Sequence, residues 1–371
     1  MAMNDIGIGI VGCGGITLQN HLPGIQICPG VRLAALCDSD PATLQRALHQ
    51  TGVRQGFANY EDLLRSEEVQ AVIIATPNFT HPPIALAAVR QGKHVLVEKP
   101  LALNYGDALE MARQAEAAGV RHMTAFTYRF VPAMRYLAHL MKRGDLGQVY
   151  HYRCCRLQDW DTRPLGWRQV RALAGTGELG DMLSHRIDFA HLLVGPISRV
   201  TASLKRFVDD RQGQPSDLDD WVAVLAEFSC GATGVLESSK LATGRGESWR
   251  SQDYAEINGS EGSVVFYTGK WNELQMGRKG RAGLETIPVP KEFWKWPGSP
   301  RDSSQGDPLV TFRYDQIWEF ADAIRNQRPC VPSLFDGARV QGVMDAMVRS
   351  GQTRQWIEVP SDAVARGTQL E

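Results

Sequence analysis

In the first third of the chain, short unbroken apolar runs alternate with amphipathic stretches. Ile6–Val11, Val31–Cys37, Val69–Ala75, His94–Val97 and Val120–Ala125 read as strands buried on both faces, which carry apolar residues without alternation. Residues 15–27, Ala42–Thr51, Tyr60–Arg65, Pro83–Gln91 and Tyr105–Ala118 read as helices, the last two closed by Gly92 and Gly119. This alternation predicts right-handed βαβ units and a doubly wound parallel sheet. The pattern changes near residue 125. One more helix, Val131–Arg143, precedes strands at Val149–Leu157, Ile197–Val208, Trp221–Phe228, Thr233–Ser239, Asp253–Gly259 and Gly262–Tyr267. Tight turns such as Ser229-Cys230-Gly231 and Ser260-Glu261-Gly262 predict a large, mostly antiparallel open sheet. Residues 269–308, rich in Gly, Pro, Lys and Arg, read as a long excursion without periodicity. Phe312–Asn326 and Asp336–Ser350 return to helical spacing. The expected organisation is one α/β unit over 1–125 and a second over 126–371.

Composition narrows the function classes. A chain of 371 residues with 43% apolar and 22% charged positions is globular and not disordered. Forty Lys and Arg against 41 Asp and Glu leave a net charge of −1, so no global attraction to nucleic acid or anionic lipid is expected. No uncharged apolar run approaches the ~18 residues of a membrane span. Ile6–Ile16 is apolar but broken by glycines, with no basic segment before it, and reads as strand and turn rather than signal peptide. Seven cysteines without a CxxC pair point to reduced thiols in the cytoplasm and to no zinc or other metal site. Cys154 and Cys155 face opposite sides of one strand and carry no assigned chemistry.

Gly12-Cys13-Gly14-Gly15-Ile16 lies where the first strand should meet the first helix. Gly12 permits the tight turn, and Gly14 lets backbone N–H groups approach a pyrophosphate. Such a turn also occurs without a ligand. The third fingerprint position is Thr17, which predicts looser strand–helix packing. Asp38 ends the second strand, where a carboxylate accepts hydrogen bonds from both adenosine ribose hydroxyls and repels a 2′-phosphate. No Arg follows in Ser39-Asp40, so NAD is expected over NADP; the other use of Asp38 is as a turn or cap residue.

Glu98-Lys99-Pro100 closes the strand His94–Val97, and Thr76-Pro77-Asn78 closes the strand before it. Further on, Gly175-Thr176-Gly177-Glu178-Leu179-Gly180 leads into a helix carrying Asp181, His185 and Asp188. With Tyr128-Arg129-Phe130, Trp167-Arg168 and Pro332-Ser333 to Asp336-Gly337, the chain resembles the glucose–fructose oxidoreductase / inositol dehydrogenase (Gfo/Idh/MocA) family over nearly its whole length. The resemblance implies a Rossmann domain, a C-terminal α/β domain whose sheet builds homodimers or homotetramers, and reversible NAD(P)-dependent oxidation of a secondary hydroxyl on a sugar or cyclitol. It also implies that Thr76, Pro77, Asn78, His81, Glu98, Trp167 and Arg168 lie against the cofactor, and that Lys99 stabilises the alkoxide.

The residues support this chemistry in their own right. Oxidation of an alcohol needs a base for the hydroxyl proton, and His185 is the side chain best suited near neutral pH. Asp181, His185 and Asp188 fall at i, i+4 and i+7, one face of a regular helix. Asp181 is expected to orient His185 or bind a neighbouring hydroxyl, with Asp188 in the same network. Lys99 ends a parallel strand, at the edge where α/β sheets bind ligands. Tyr128 and Arg129 fit the cleft, although Tyr128 fits core packing as well. Gln158, with Asp159 and Trp160, ends a second-unit strand within reach of a sugar. His21 reads as structural, and Phe293, Trp294 and Trp296 as packing, a subunit contact or an active-site cover. Two other readings stay open: a glycosidase that borrows and returns a hydride, and a non-catalytic NAD(H) sensor.

Overall fold

The computed structural model describes residues 5–247 and 252–360. The first unit runs β1 (Ile6–Val11), α1 (Leu22–Ile27), β2 (Val31–Cys37), α2 (Pro41–Thr51), β3 (Gln55–Phe57), α3 (Tyr60–Arg65), β4 (Ala71–Ile74), α4 (His81–Arg90), β5 (His94–Val97), α5 (Tyr105–Ala117) and β6 (His122–Thr124). Its six strands are all parallel, in the order β3-β2-β1-β4-β5-β6. The reversal at β1/β4 opens a crevice beyond the carboxyl ends of the strands, where such sheets bind nucleotides.

The helix expected over residues 15–27 is split. A five-residue π-helical turn, Thr17–His21, precedes the single α-helical stretch of α1. Thr17 does not loosen the junction: its side chain is fully buried and its hydroxyl donates to the Gly12 carbonyl at 2.6 Å.

The second unit begins with α6 (Pro132–Arg143), β7 (Val149–Leu157), α7 (Arg171–Ala174) and α8 (Ser184–Leu193). β8 (Ile197–Lys205), β9 (Trp221–Phe228), β10 (Thr233–Ser239), β11 (Gln252–Gly259) and β12 (Gly262–Tyr267) follow. Then come β13 (Glu273–Arg278), β14 (Glu285–Pro288), α9 (Pro308–Thr311), α10 (Asp315–Arg325), α11 (Leu334–Thr353) and β15 (Ile357–Glu358). The sheet order is β14-β13-β12-β11-β7-β10-β9-β8-β15, antiparallel throughout except for the parallel pair β7/β10. β13 and β14 correct the reading of 269–308 as an excursion: Leu274 and Met276 point alternately into the core and extend the sheet by two strands. The aromatic cluster beyond them packs internally. Trp296 is buried and donates from Nε1 to Glu319 at 2.8 Å, and Trp294 packs edge-on to Trp271.

The two units share core. Leu334 and Ala338 of α11 are fully buried among the apolar side chains of β4, β5 and α5, and the Thr124 hydroxyl on β6 donates to the Ser333 carbonyl at 2.9 Å. The Ser333/Asp336 capping box starts α11 at this junction. The opposite face of the large sheet is open. Leu225, Val235, Arg153, Tyr254 and Tyr267 share it by register, with Leu225 49% and Tyr267 43% exposed. Among the described residues no helix is long and apolar enough to cross a membrane.

Candidate active site

The glycine turn, Asp38, Thr76 and Lys99 all follow the carboxyl ends of neighbouring parallel strands. Gly12 adopts φ +97°, and a Cβ there would meet the Ala75 carbonyl oxygen at 2.5 Å, so the turn accepts no other residue without moving β4. Asp38 accepts from the Cys13 N–H (2.8 Å) through one carboxylate oxygen and from the Asp40 N–H (2.9 Å) through the other. Its carboxylate is thereby fixed beside the turn. Gly14 and Gly15 are exposed, with nothing within 4 Å of the space a Cβ would fill, and Ile16 is half-buried after them. Exposed glycine backbone beside a fixed carboxylate fits a dinucleotide: pyrophosphate over the turn, ribose on Asp38.

The residues behind the turn interlock. His81 is buried with its ring nitrogens 3.0 Å from the Pro100 and Thr76 carbonyl oxygens, and burial holds the imidazole below its ordinary pKa. Pro77 caps the short turn Asn78–Thr80. The Asn78 amide donates to the Ala174 carbonyl at 2.9 Å, tying the first unit to α7. Glu98 meets His21 at 2.9 Å; burial opposes its ionisation, but His21 and Lys99 outweigh that and lower its pKa.

Lys99 reaches across to the second unit. Its ammonium donates to the Asp181 carbonyl (2.6 Å) and to Asp181 Oδ1 (3.1 Å). Gly180 makes this approach possible, since a Cβ there would lie 2.5 Å from Thr176 Oγ1 and 3.0 Å from Pro100 Cγ. Asp219 fixes the backbone just before, accepting from the Gly177 (2.7 Å) and Leu179 (2.8 Å) N–H groups. Burial disfavours charge on Asp181, yet Lys99, Arg168 and Lys240 bring its carboxyl down to about 2. Its Oδ2 is buried without a hydrogen-bond partner.

His185 follows on α8. Its ring stands edge-on to Tyr128 (4.7 Å between centroids) and Phe126 (5.9 Å). Among the described residues it makes no hydrogen bond to Asp181, so Asp181 orients Lys99 rather than the imidazole. Burial, with the charges of Lys99, Arg186, Arg156 and Arg313, holds the imidazole well below its ordinary pKa, and it is neutral near pH 7. Burial alone would raise the Tyr128 phenol; the guanidinium groups of Arg156, Arg313 and Arg186 outweigh it and lower its pKa.

Two expected substrate residues lie elsewhere. Arg129 and Asp188 are fully buried and pair with each other, Nε to Oδ2 at 2.9 Å, and Arg129 also reaches Asp336 at 3.1 Å. They tie α8 to α11. The one-face argument failed for Asp188 for two reasons. Asp181 sits in a π-helical turn, Leu179–Leu183, wider than the assumed period. Seven residues also advance about 10 Å along a helix, beyond the Lys99 end of the site. Gln158 is buried at the end of β7; its Oε1 accepts from Arg156 (3.1 Å), and its Nε2 has no partner. Trp167 and Arg168 are half-buried, stack at 4.3 Å, and sit close enough for Arg168 to act on Asp181.

The structure adds residues to which the sequence assigned no role, Glu178 of the glycine-rich motif among them. Glu178 accepts from Ser238 Oγ and lies 4.0 Å from Lys240 Nζ, both partners coming from the end of β10. Burial pushes its carboxyl up to about 7 against the pull of Lys240. Arg156 and Arg186 converge on one carboxylate, Asp253. Arg313 lies over Tyr128 at 5.8 Å.

Residues 6–126 match the model of the GFO/IDH/MocA oxidoreductase family, NAD-binding Rossmann fold, and residues 134–265 match a GFO/IDH/MocA C-terminal domain. The chain is 30% identical to a levoglucosan dehydrogenase of Pseudarthrobacter phenanthrenivorans, over 96% of this chain and 99% of that one. It is 28% identical to a myo-inositol 2-dehydrogenase of Thermotoga maritima, over 69% of this chain and 74% of that one. A solved structure of levoglucosan dehydrogenase in complex with NADH superposes with a TM-score of 0.89, at 29% identity, over 96% of this chain and 100% of that one. The chain therefore belongs to the GFO/IDH/MocA family of NAD-binding oxidoreductases.

Proposed function

We propose that this protein is an NAD-dependent dehydrogenase that oxidises a secondary hydroxyl of a sugar, sugar derivative or cyclitol to a ketone, reversibly. The observation that carries the reading is the Lys99–Asp181 pair, near enough to His185 for the Lys99 charge to lower its pKa, at the same sheet edge as the glycine turn and Asp38. NAD, when bound, supplies the hydride acceptor. Neutral His185 takes the hydroxyl proton. The Lys99 ammonium, pinned by Asp181, faces the oxygen on which negative charge develops. Asp181 Oδ2 holds an adjacent hydroxyl and fixes the carbinol carbon in line for transfer. The relatives' names place their chemistry on sugars and cyclitols, which supports the substrate class. We assign the nucleotide to 1–125 and the substrate to 126–371, with α11 lent back to the first unit. An absorbance screen for NADH over cyclitols, aldoses, anhydrosugars and glycosides tests the reading. NAD tightly bound with no substrate reducing it would sink it.

NAD is expected over NADP. Asp38→Ser removes the carboxylate that repels a 2′-phosphate, so titration calorimetry should show weaker NAD binding and a narrowed gap to NADP. An unmodified protein that binds NADP more tightly would overturn the assignment.

A homodimer or homotetramer is proposed through the open sheet face, where Leu225, Val235, Tyr254 and Tyr267 leave apolar surface in water. Light scattering should give a multiple of the chain's 41.0 kDa at micromolar concentration. A stable monomer contradicts the proposal.

A further inference from the structure

The cleft holds more cation than anion, and among the described residues two cations have no ion pair: Arg168, which stacks on Trp167, and Arg313. Arg156 and Arg186 together face Asp253 alone. Lys99 takes Asp181, and Lys240 lies 4.0 Å from Glu178. Arg313 enters from the turn before α10, and among the described residues its guanidinium has neither an ion pair nor a hydrogen bond; its Nε is buried without a partner. Its guanidinium carbon lies 5.8 Å from the centre of the Tyr128 ring and 5.6 Å from that of Phe312. Tyr128 is the ring against which His185 stands. Two more buried donors end the neighbouring strand unpartnered, Gln158 Nε2 and Trp160 Nε1, with Lys240 Nζ 5.6 Å from the Trp160 ring centre.

We propose that Arg313 is a specificity-determining residue and that the substrate is a sugar acid, whose carboxylate docks on the Arg313 guanidinium while a neighbouring secondary hydroxyl meets His185 and Lys99. The inference rests on the reading under Proposed function. A guanidinium with aromatic rings close to it keeps in-plane N–H groups for a planar, bidentate acceptor, and a carboxylate is that acceptor. A half-buried cation left without a partner costs free energy that an arriving anion recovers. The surplus of buried donors suits an acceptor-rich ligand. The same positive field holds His185 neutral, and the substrate's charge would raise the basicity of the imidazole as the proton leaves the hydroxyl.

The test uses the NAD-loaded full chain and matched pairs: glucose with glucuronate, galactose with galacturonate, and glucose 6-phosphate as the other anion. At least one uronate should exceed its neutral partner tenfold or more in kcat/KM. Arg313→Met should raise KM for that acid about 10–100-fold, the worth of a charge-assisted hydrogen bond. The acid-over-neutral ratio should fall to near one, and Arg313→Lys should restore part of it. A preference for neutral sugars or the phosphate, or an unchanged ratio in Arg313→Met, overturns the proposal. If no compound reduces NAD, the dehydrogenase reading fails on its own. Binding then decides this inference: uronates should quench NADH fluorescence in the complex and neutral sugars should not, and Arg313→Met at an unchanged melting temperature should abolish the difference. Quenching by neither, or by both equally, would refute it.

Discussion

Replacing His185 with Ala should lower kcat by about 10²–10⁴-fold, the usual worth of a positioned acid–base group, while NAD affinity stays near normal. The separation follows from the geometry. His185 packs against Tyr128 and Phe126 on the second unit, whereas the nucleotide's expected contacts lie on the glycine turn and Asp38. Lys99→Ala should cost about 10²–10³-fold, as for other preorganised donors at a developing oxyanion. The double variant should lose much less than the product of the two, because both serve one proton transfer and one alkoxide. The pH profile carries the sign of the electrostatics. The His185 pKa lies well below its ordinary value, so the imidazole is already a base at pH 6, and kcat/KM should show no acid limb near 6.5 from this group. High pH should partly rescue His185→Ala, because hydroxide can take the proton, and should rescue Lys99→Ala less. Stopped-flow NADH formation and fluorescence titration of NAD measure these effects. Near-normal turnover in His185→Ala would remove it from the mechanism and leave Tyr128 or Asp181 as candidates.

Asp188→Ala should cost about 3–5 kcal/mol of stability, the penalty for stripping one partner from a buried ion pair. Arg129 would keep Asp336, but that carboxylate already serves Arg339 (2.6 Å) and the α11 capping box. Against a typical domain stability of about 5–15 kcal/mol, the loss should show as a marked fall in the urea midpoint. Asp188→Asn preserves shape and some hydrogen bonding and should cost less. The kinetic constants of the folded fraction should be unchanged. A raised KM at an unaltered urea midpoint would return Asp188 to the substrate site.

Much of the fold was legible, and the exceptions have physical causes. The parallel strands stood out because burial on both faces leaves no polar position in Ala71–Ile74 or His94–Val97 beyond the first residue. β3 escaped notice because three residues centred on Gly56 make no run. β13 does alternate, at Leu274 and Met276, but polar and glycine-rich neighbours hid so short a period. Lys99, Asp181 and His185 could be found because each lies in a compact motif. Arg156, Lys240 and Arg313 could not, since they come from three distant segments and acquire meaning only where the chain brings Arg156 and Arg313 to Tyr128 and Lys240 to Glu178. The spacing rule that found His185 misplaced Asp188, because it assumed a regular helix and ignored rise along the axis.

The seating of Leu334 and Ala338 in the first unit's core bears on how the chain is made. Thr124 and its partner Ser333 are 209 positions apart. At a synthesis rate of about 5–20 residues per second, roughly 10–40 s separate their emergence from the ribosome. Throughout that interval the nucleotide-binding half is exposed to the cell with the apolar side of α5 and the end of β6 uncovered. Vectorial folding cannot finish the first half before the last helix arrives, so the nascent protein depends on whatever shields that surface during translation.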